Sequence, residues 1–180
     1  FDGPVDHLWA LPVLSDYVRE KYQGEEMAVV SPDAGRVRLA DMWTDKLGCQ
    51  LAIIHKRRDP NKANEVTTHE VVGDVKGKTC LLVDDMIDSG GTICHAADAL
   101  MNAGAVSVVI ASTHAIFSDP AVERLANSVA REVIVTDTLP ITDEKKFDKL
   151  TVLSIAPLLS QAIREVFEDG SVTSMFDEME

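Results

Sequence analysis

Short apolar runs alternate with stretches of helical spacing along nearly the whole chain, and that alternation confines it to an α/β architecture built on a parallel sheet with helices on both faces. Residues 27–30, 51–54, 79–83, 106–112, 132–136 and 150–153 read as strands, with a further strand over 70–72. Between them, residues 8–22, 37–47, 93–103, 119–125 and 155–167 place apolar side chains at helical intervals. Gly48 and Gly104 supply stops, Asp119 is expected to cap the fourth helix with Pro120 at its first position, and Pro157 fits a first turn. The valine-rich run 106–112 suits a central strand covered on both sides.

A chain of 180 residues, 46% hydrophobic, can bury one ordinary core and predicts a single domain. No apolar run approaches the roughly 20 residues needed to span a bilayer, and no basic-then-apolar leader opens the sequence, so a cytoplasmic protein without a membrane partner is expected. Phe1 stands where an initiator Met would, which suggests a piece of a longer protein. Cys49, Cys80 and Cys94 are odd in number and lack paired spacing, which argues against both a disulfide framework and a zinc site. A formal charge of −13 opposes nonspecific binding to nucleic acid.

Three of the expected strands end in unusual chemistry. Leu81, Leu82 and Val83 run into Asp84 and Asp85, then Asp88, Ser89, Gly90, Gly91 and Thr92, just before a helix. Such a turn can offer backbone N–H groups and two hydroxyls to an anion at the positive end of the helix. The acids would repel a bare phosphate, but they suit sugar hydroxyls or a divalent cation. A phosphorylated sugar satisfies both halves. After the first strand come Ser31, Pro32, Asp33, Ala34, Gly35 and Arg36, where Gly35 permits close backbone approach, Asp33 can ligate a metal and Arg36 can face an anion. After the second come His55, Lys56, Arg57 and Arg58, a basic cluster leading into a polar, turn-rich stretch expected to be a mobile loop.

The first of these motifs resembles the sugar-phosphate motif shared by type I phosphoribosyltransferases and synthases of phosphoribosyl diphosphate (PRPP). All three together, over nearly the whole chain, resemble the C-terminal half of the ribose-phosphate pyrophosphokinase family. That resemblance divides the chain into a linker from an N-terminal half (1–8), a phosphoribosyltransferase-like domain (9–168) and a tail (169–180). It implies transfer of diphosphate from Mg-ATP to ribose 5-phosphate, giving PRPP and AMP, with Mg2+ as cofactor. Asp84, Asp85, Asp88, Ser89, Gly90, Gly91 and Thr92 would then hold ribose 5-phosphate. Asp33, Ala34 and Gly35 would form the diphosphate loop, with Asp33 as metal ligand, and Lys56 and Arg58 would be catalytic. Ser171, Val172 and Phe176 match a tail implicated in allosteric control, and the family pattern implies a hexameric homo-oligomer. A half-enzyme alone would be inactive or weak, since part of the ATP site lies in the other half. Two alternatives share the motif: a phosphoribosyltransferase that consumes PRPP, and a noncatalytic regulatory subunit. The absence of any segment left over for a nucleobase hood argues against the first, and the presence of both Lys56 and Arg58 argues against the second.

Overall fold

The computed structural model describes residues 2–3, 5–57 and 68–179, with the side chains of residues 56, 57, 68, 69 and 177–179 outside that description. Within it, α1 (Leu11–Lys21), β1 (Met27–Ser31), α2 (Val37–Leu47), β2 (Gln50–Arg57), β3 (Thr68–Val72), β4 (Thr79–Ile87), α3 (Gly91–Asn102), β5 (Ser107–Ala115), α4 (Ala121–Asn127), β6 (Glu132–Thr136), β7 (Leu150–Leu153) and α5 (Ala156–Phe167) follow in order. The strands form one sheet ordered β3-β2-β1-β4-β5-β6-β7. Every pair is parallel except β2 with β3, which run antiparallel.

Successive residues of each central strand bury opposite faces, the period-2 consequence of a pleated backbone. Val30, Leu82, Ile110 and Val135 pack beneath α3 and α4 against Ile93, Ala97, Leu100 and Leu125. Their neighbours Val29, Leu81, Val109 and Ile134 pack against Leu14 and Val18 of α1 and Trp43 of α2 on the other side. Helix α5 is different: it buries Ala162, while Ile163, Val166 and Phe167 stay exposed. No helix of the described residues is long and apolar enough to cross a membrane.

Several expectations shift. The second strand runs on to Arg57 and the third begins at Thr68, with Lys56 opposite His69 and Arg57 opposite Thr68. His55, Lys56 and Arg57 therefore belong to a strand tip instead of a free loop. Arg58 and the rest of that loop lie outside the described residues. The fourth strand likewise continues to Ile87, carrying Asp84 and Asp85 within the ladder. Asp119 caps nothing; Pro120 occupies the N-cap position of α4, with no side-chain bond.

The chain order reverses between β1 and β4. The connection after β1 goes to β2 on one side, whereas β4 adds on the other. Loops leaving the carboxyl ends of these two strands diverge there, which opens a crevice above the sheet.

Candidate functional site

A cleft of about 300 Å³ occupies that crevice. From β4 and the turn after it come Asp84, Asp85, Asp88, Ser89, Gly90, Gly91 and Thr92, and from the loop after β1 come Asp33 and Arg36. Ala34 and Gly35 belong to a short 3-10 turn beside the cleft and are absent from its lining. Both glycines of the β4–α3 turn line the cleft; Gly90 is buried, with Ala121 and Leu125 of α4 covering the side where a Cβ would project, and Gly91 is half-buried. Gly90 has φ +73°, a left-handed conformation at the N-cap of α3. That conformation favours glycine, because a side chain there meets its own carbonyl. The N–H groups of the first turn of α3 have no carbonyl within the helix to bond, and they point with the positive end of the helix dipole toward the cleft.

The acids of β4 carry the electrostatics. Asp84 Oδ1 accepts the N–H of Asp85 at 2.9 Å. Arg36 reaches across from the β1 loop, Nε at 3.2 Å from Asp84 Oδ1 and Nη2 at 2.9 Å from Asp85 Oδ1. Burial pushes the Asp84 carboxyl well above the usual carboxylate range, with Asp85 adding to the rise and Arg36 opposing it. Asp85 Oδ1 is enclosed and, despite the nearby guanidinium, receives no aligned hydrogen bond. An acceptor in that state favours a ligand that brings its own donor. Arg36, expected to face an anion, pairs with the carboxylates of Asp84 and Asp85 and so joins the two loops.

Asp33 is partly committed. Its Oδ1 accepts the N–H of Gly35 at 2.8 Å and of Arg36 at 3.2 Å, capping the 3-10 turn, while Ser31 Oγ donates to its carbonyl at 2.6 Å. No group of three or more His, Cys, Asp or Glu side chains forms a metal cage among the described residues. The cleft's carboxylates are hard oxygen donors nonetheless. They fit magnesium, which is commonly held by one or two carboxylates and completed by phosphate oxygens and water.

The structure separates the other expected residues. Lys56 stands on β2, its side chain outside the described residues, and Arg58 lies outside them altogether. Val172 is buried against α5 with Leu8 nearby, on a surface away from the cleft, while Ser171 beside it is exposed and Phe176 is half-buried. One contributor escaped sequence reasoning: Arg124 of α4, whose Nη1 donates to the Ser89 carbonyl at 3.0 Å. Nothing in its local sequence distinguishes it from a solvated helix residue.

Residues 61–177 match the family described as phosphoribosyl synthetase-associated domain. A ribose-phosphate pyrophosphokinase of Streptomyces coelicolor is 64% identical over 178 residues, covering 99% of this chain and 55% of the relative. The crystal structure of phosphoribosylpyrophosphate synthetase from Mycobacterium smegmatis superposes with a TM-score of 0.87 at 58% identity, over 94% of this chain and 54% of that one. Orotate phosphoribosyltransferase from Aeropyrum pernix shares the fold, with a TM-score of 0.53 at 19% identity over 86% of this chain and 73% of its own. The chain thus spans about half the length of the synthetases it matches.

Proposed function

The chain belongs to the phosphoribosyl synthetase-associated domain family, and from that premise we propose that it is the sugar-phosphate-binding part of a ribose-phosphate pyrophosphokinase. The reaction moves the β,γ-diphosphoryl group of Mg-ATP to the anomeric oxygen of ribose 5-phosphate. A new bond forms between that oxygen and the β-phosphorus, the α–β bridge breaks, the hydroxyl proton leaves, and AMP departs. The observation that carries the reading is the convergence of two loops, one acidic and glycine-bearing after β4, one capped by Asp33 after β1, on a single cleft at the strand-order reversal.

In this reading the N–H groups of the 88–92 turn and the hydroxyls of Ser89 and Thr92 hold the 5-phosphate. Asp84 and Asp85 accept hydrogen bonds from the ribose hydroxyls, and the enclosed Asp85 Oδ1 gains the donor it lacks. Displaced from the acids, Arg36 becomes available to the diphosphate arriving beside the Asp33 turn. Asp33 would hold magnesium through its second oxygen. When bound, that ion supplies charge neutralisation on the diphosphoryl oxygens. Lys56, on β2, and Arg58, which follows that strand in sequence, take the role of opposing the negative charge that spreads over the transferring group.

Calorimetry of this chain with ribose 5-phosphate and with Mg-ATP, separately, tests the reading. Measurable binding of the sugar phosphate, with ATP binding far weaker, is the expected result. Failure to bind ribose 5-phosphate would refute it. A sharper version uses Gly90→Val. A β-branched residue forced to φ near +73° strains the cradle by about 1–2 kcal/mol. Affinity for ribose 5-phosphate is expected to fall about tenfold or more, with the sheet intact by circular dichroism; unchanged affinity would remove the turn from the site.

A further inference from the structure

A loop that grips an anion through its N–H groups must dispose of its carbonyls elsewhere, because their negative ends would repel the guest. The turn after β4 does so completely. The Ile87 carbonyl accepts the N–H groups of both Ile116 and Phe117 at 3.1 Å, and the Asp88 carbonyl accepts the N–H of Ser118 at 3.1 Å. The Gly90 carbonyl is taken by Cys94 within α3 at 3.1 Å. Phe117 adopts φ +49°, unusual for an aromatic residue, in the segment that presents these donors. The remaining carbonyl, that of Ser89, is held by a side chain: the guanidinium of Arg124 at 3.0 Å.

We propose that Arg124 is a positioning residue for the phosphate cradle, holding the Ser89 carbonyl outward so that the N–H side of the turn stays aimed into the cleft. The inference rests on reading that turn as the ribose 5-phosphate site. Two further observations support it. Among the described residues no carboxylate pairs with Arg124, and a single hydrogen bond to a neutral carbonyl leaves most of its five N–H donors unused. Its Nη1 lies 3.4 Å from the position a Cβ would occupy on Gly91, so its positive charge sits against the turn. The adjacent α4 residues Ala121 and Leu125 bury the helix and lie 3.6 Å from the position a Cβ would occupy on Gly90, whereas Arg124 itself is exposed. Arg124 thus adds little to the core and is free to serve the loop.

The test compares the wild-type chain with Arg124→Gln and Arg124→Lys by calorimetry against ribose 5-phosphate and inorganic phosphate, alongside thermal melts. Arg124→Gln is expected to weaken both ligands about tenfold. Arg124→Lys, which keeps a charged donor, is expected to recover most of the loss, and both variants to melt within about 2 °C of wild type. Wild-type affinity in Arg124→Gln would overturn the assignment alone. Weakening accompanied by a large drop in melting temperature would overturn it too, by exposing a merely structural role. A wild-type chain that binds neither ligand would overturn both this inference and the function on which it rests.

Discussion

Lys56→Ala is expected to reduce turnover of the complete enzyme about a thousandfold or more, in line with the loss of a comparable transition-state cation in other phosphoryl-transfer enzymes. Phosphoryl transfer gives a protein little covalent work; the barrier falls chiefly through positioning and through cations opposed to charge that spreads over the transferring oxygens. Strand register sets where the Lys56 backbone stands. In the register between β1 and β2, Ser31 sits beside Ile53, so β1 ends where β2 continues. Lys56 stands three residues farther along, about 10 Å at strand rise, on the carboxyl side of the sheet where Asp33 and Asp84 also emerge. Its pairing with His69 of β3 gives it the support of a two-stranded ladder. Because the proposed function assigns the sugar phosphate to the turn after β4, its affinity is expected to change by no more than about twofold, which steady-state kinetics with direct binding would separate. A large loss of affinity with normal turnover would assign Lys56 to binding.

The second large effect concerns stability. Glu132 opens β6, is 5% exposed, and gathers donors from two other elements. Tyr17 Oη donates to it at 2.8 Å and Lys21 Nζ at 2.7 Å, joined by the hydroxyls of Tyr22 and Thr151. These bonds tie α1 and β7 to the sheet. Glu132→Ala is expected to cost about 3 kcal/mol, read as a shift in urea midpoint with unchanged m-value. Lys21 is 44% exposed and its ion pair contributes little of that; the cost comes from hydroxyls left without an acceptor, the Tyr22 hydroxyl being buried. Acid behaviour provides an independent check. Burial pushes the Glu132 carboxyl up, but the hydrogen bonds from Lys21, Thr151, Tyr22 and Tyr17 together outweigh it and hold the group below its ordinary value of 4.5. A carboxyl depressed by folding stabilises the native state above that ordinary value, and the contribution disappears as pH falls through the folded one. The gap between wild type and Glu132→Ala is therefore expected to narrow in acid, and a gap that widened would contradict the network.

What the sequence disclosed and what it hid follow from the range of each interaction. Alternating burial of Val29 and Val30 or Leu81 and Leu82 leaves a local imprint, so the strands and their order of appearance were readable. The stop at Gly48 was equally local, a left-handed residue with φ +65° closing α2. The ends of β2 and β4 were not, because periodicity records which side chains enter the core, whereas a strand continues as long as its backbone has a partner. Asp84 still pairs with Ser112 and Met86 with His114, although their side chains serve a cleft and not a core. The antiparallel setting of β3 escaped for the same reason. At the site, the acids and glycines announced themselves through composition, but the Arg36 contacts with Asp84 and Asp85 join residues nearly fifty positions apart. The clasp of Arg124 on Ser89 spans 35, and the bond of Tyr22 to Glu132 spans 110.

The neighbouring placement of β1 and β4, with Val30 beside Leu82 in register, fixes more than topology. The two loops that frame the cleft are rooted in adjacent rails about 4.8 Å apart, so their roots are separated by a backbone dimension that no side-chain replacement alters. The protein thereby possesses a built-in ruler: substitutions in either loop change the groups that face the cleft, while the spacing of the loop roots is dictated by the sheet itself.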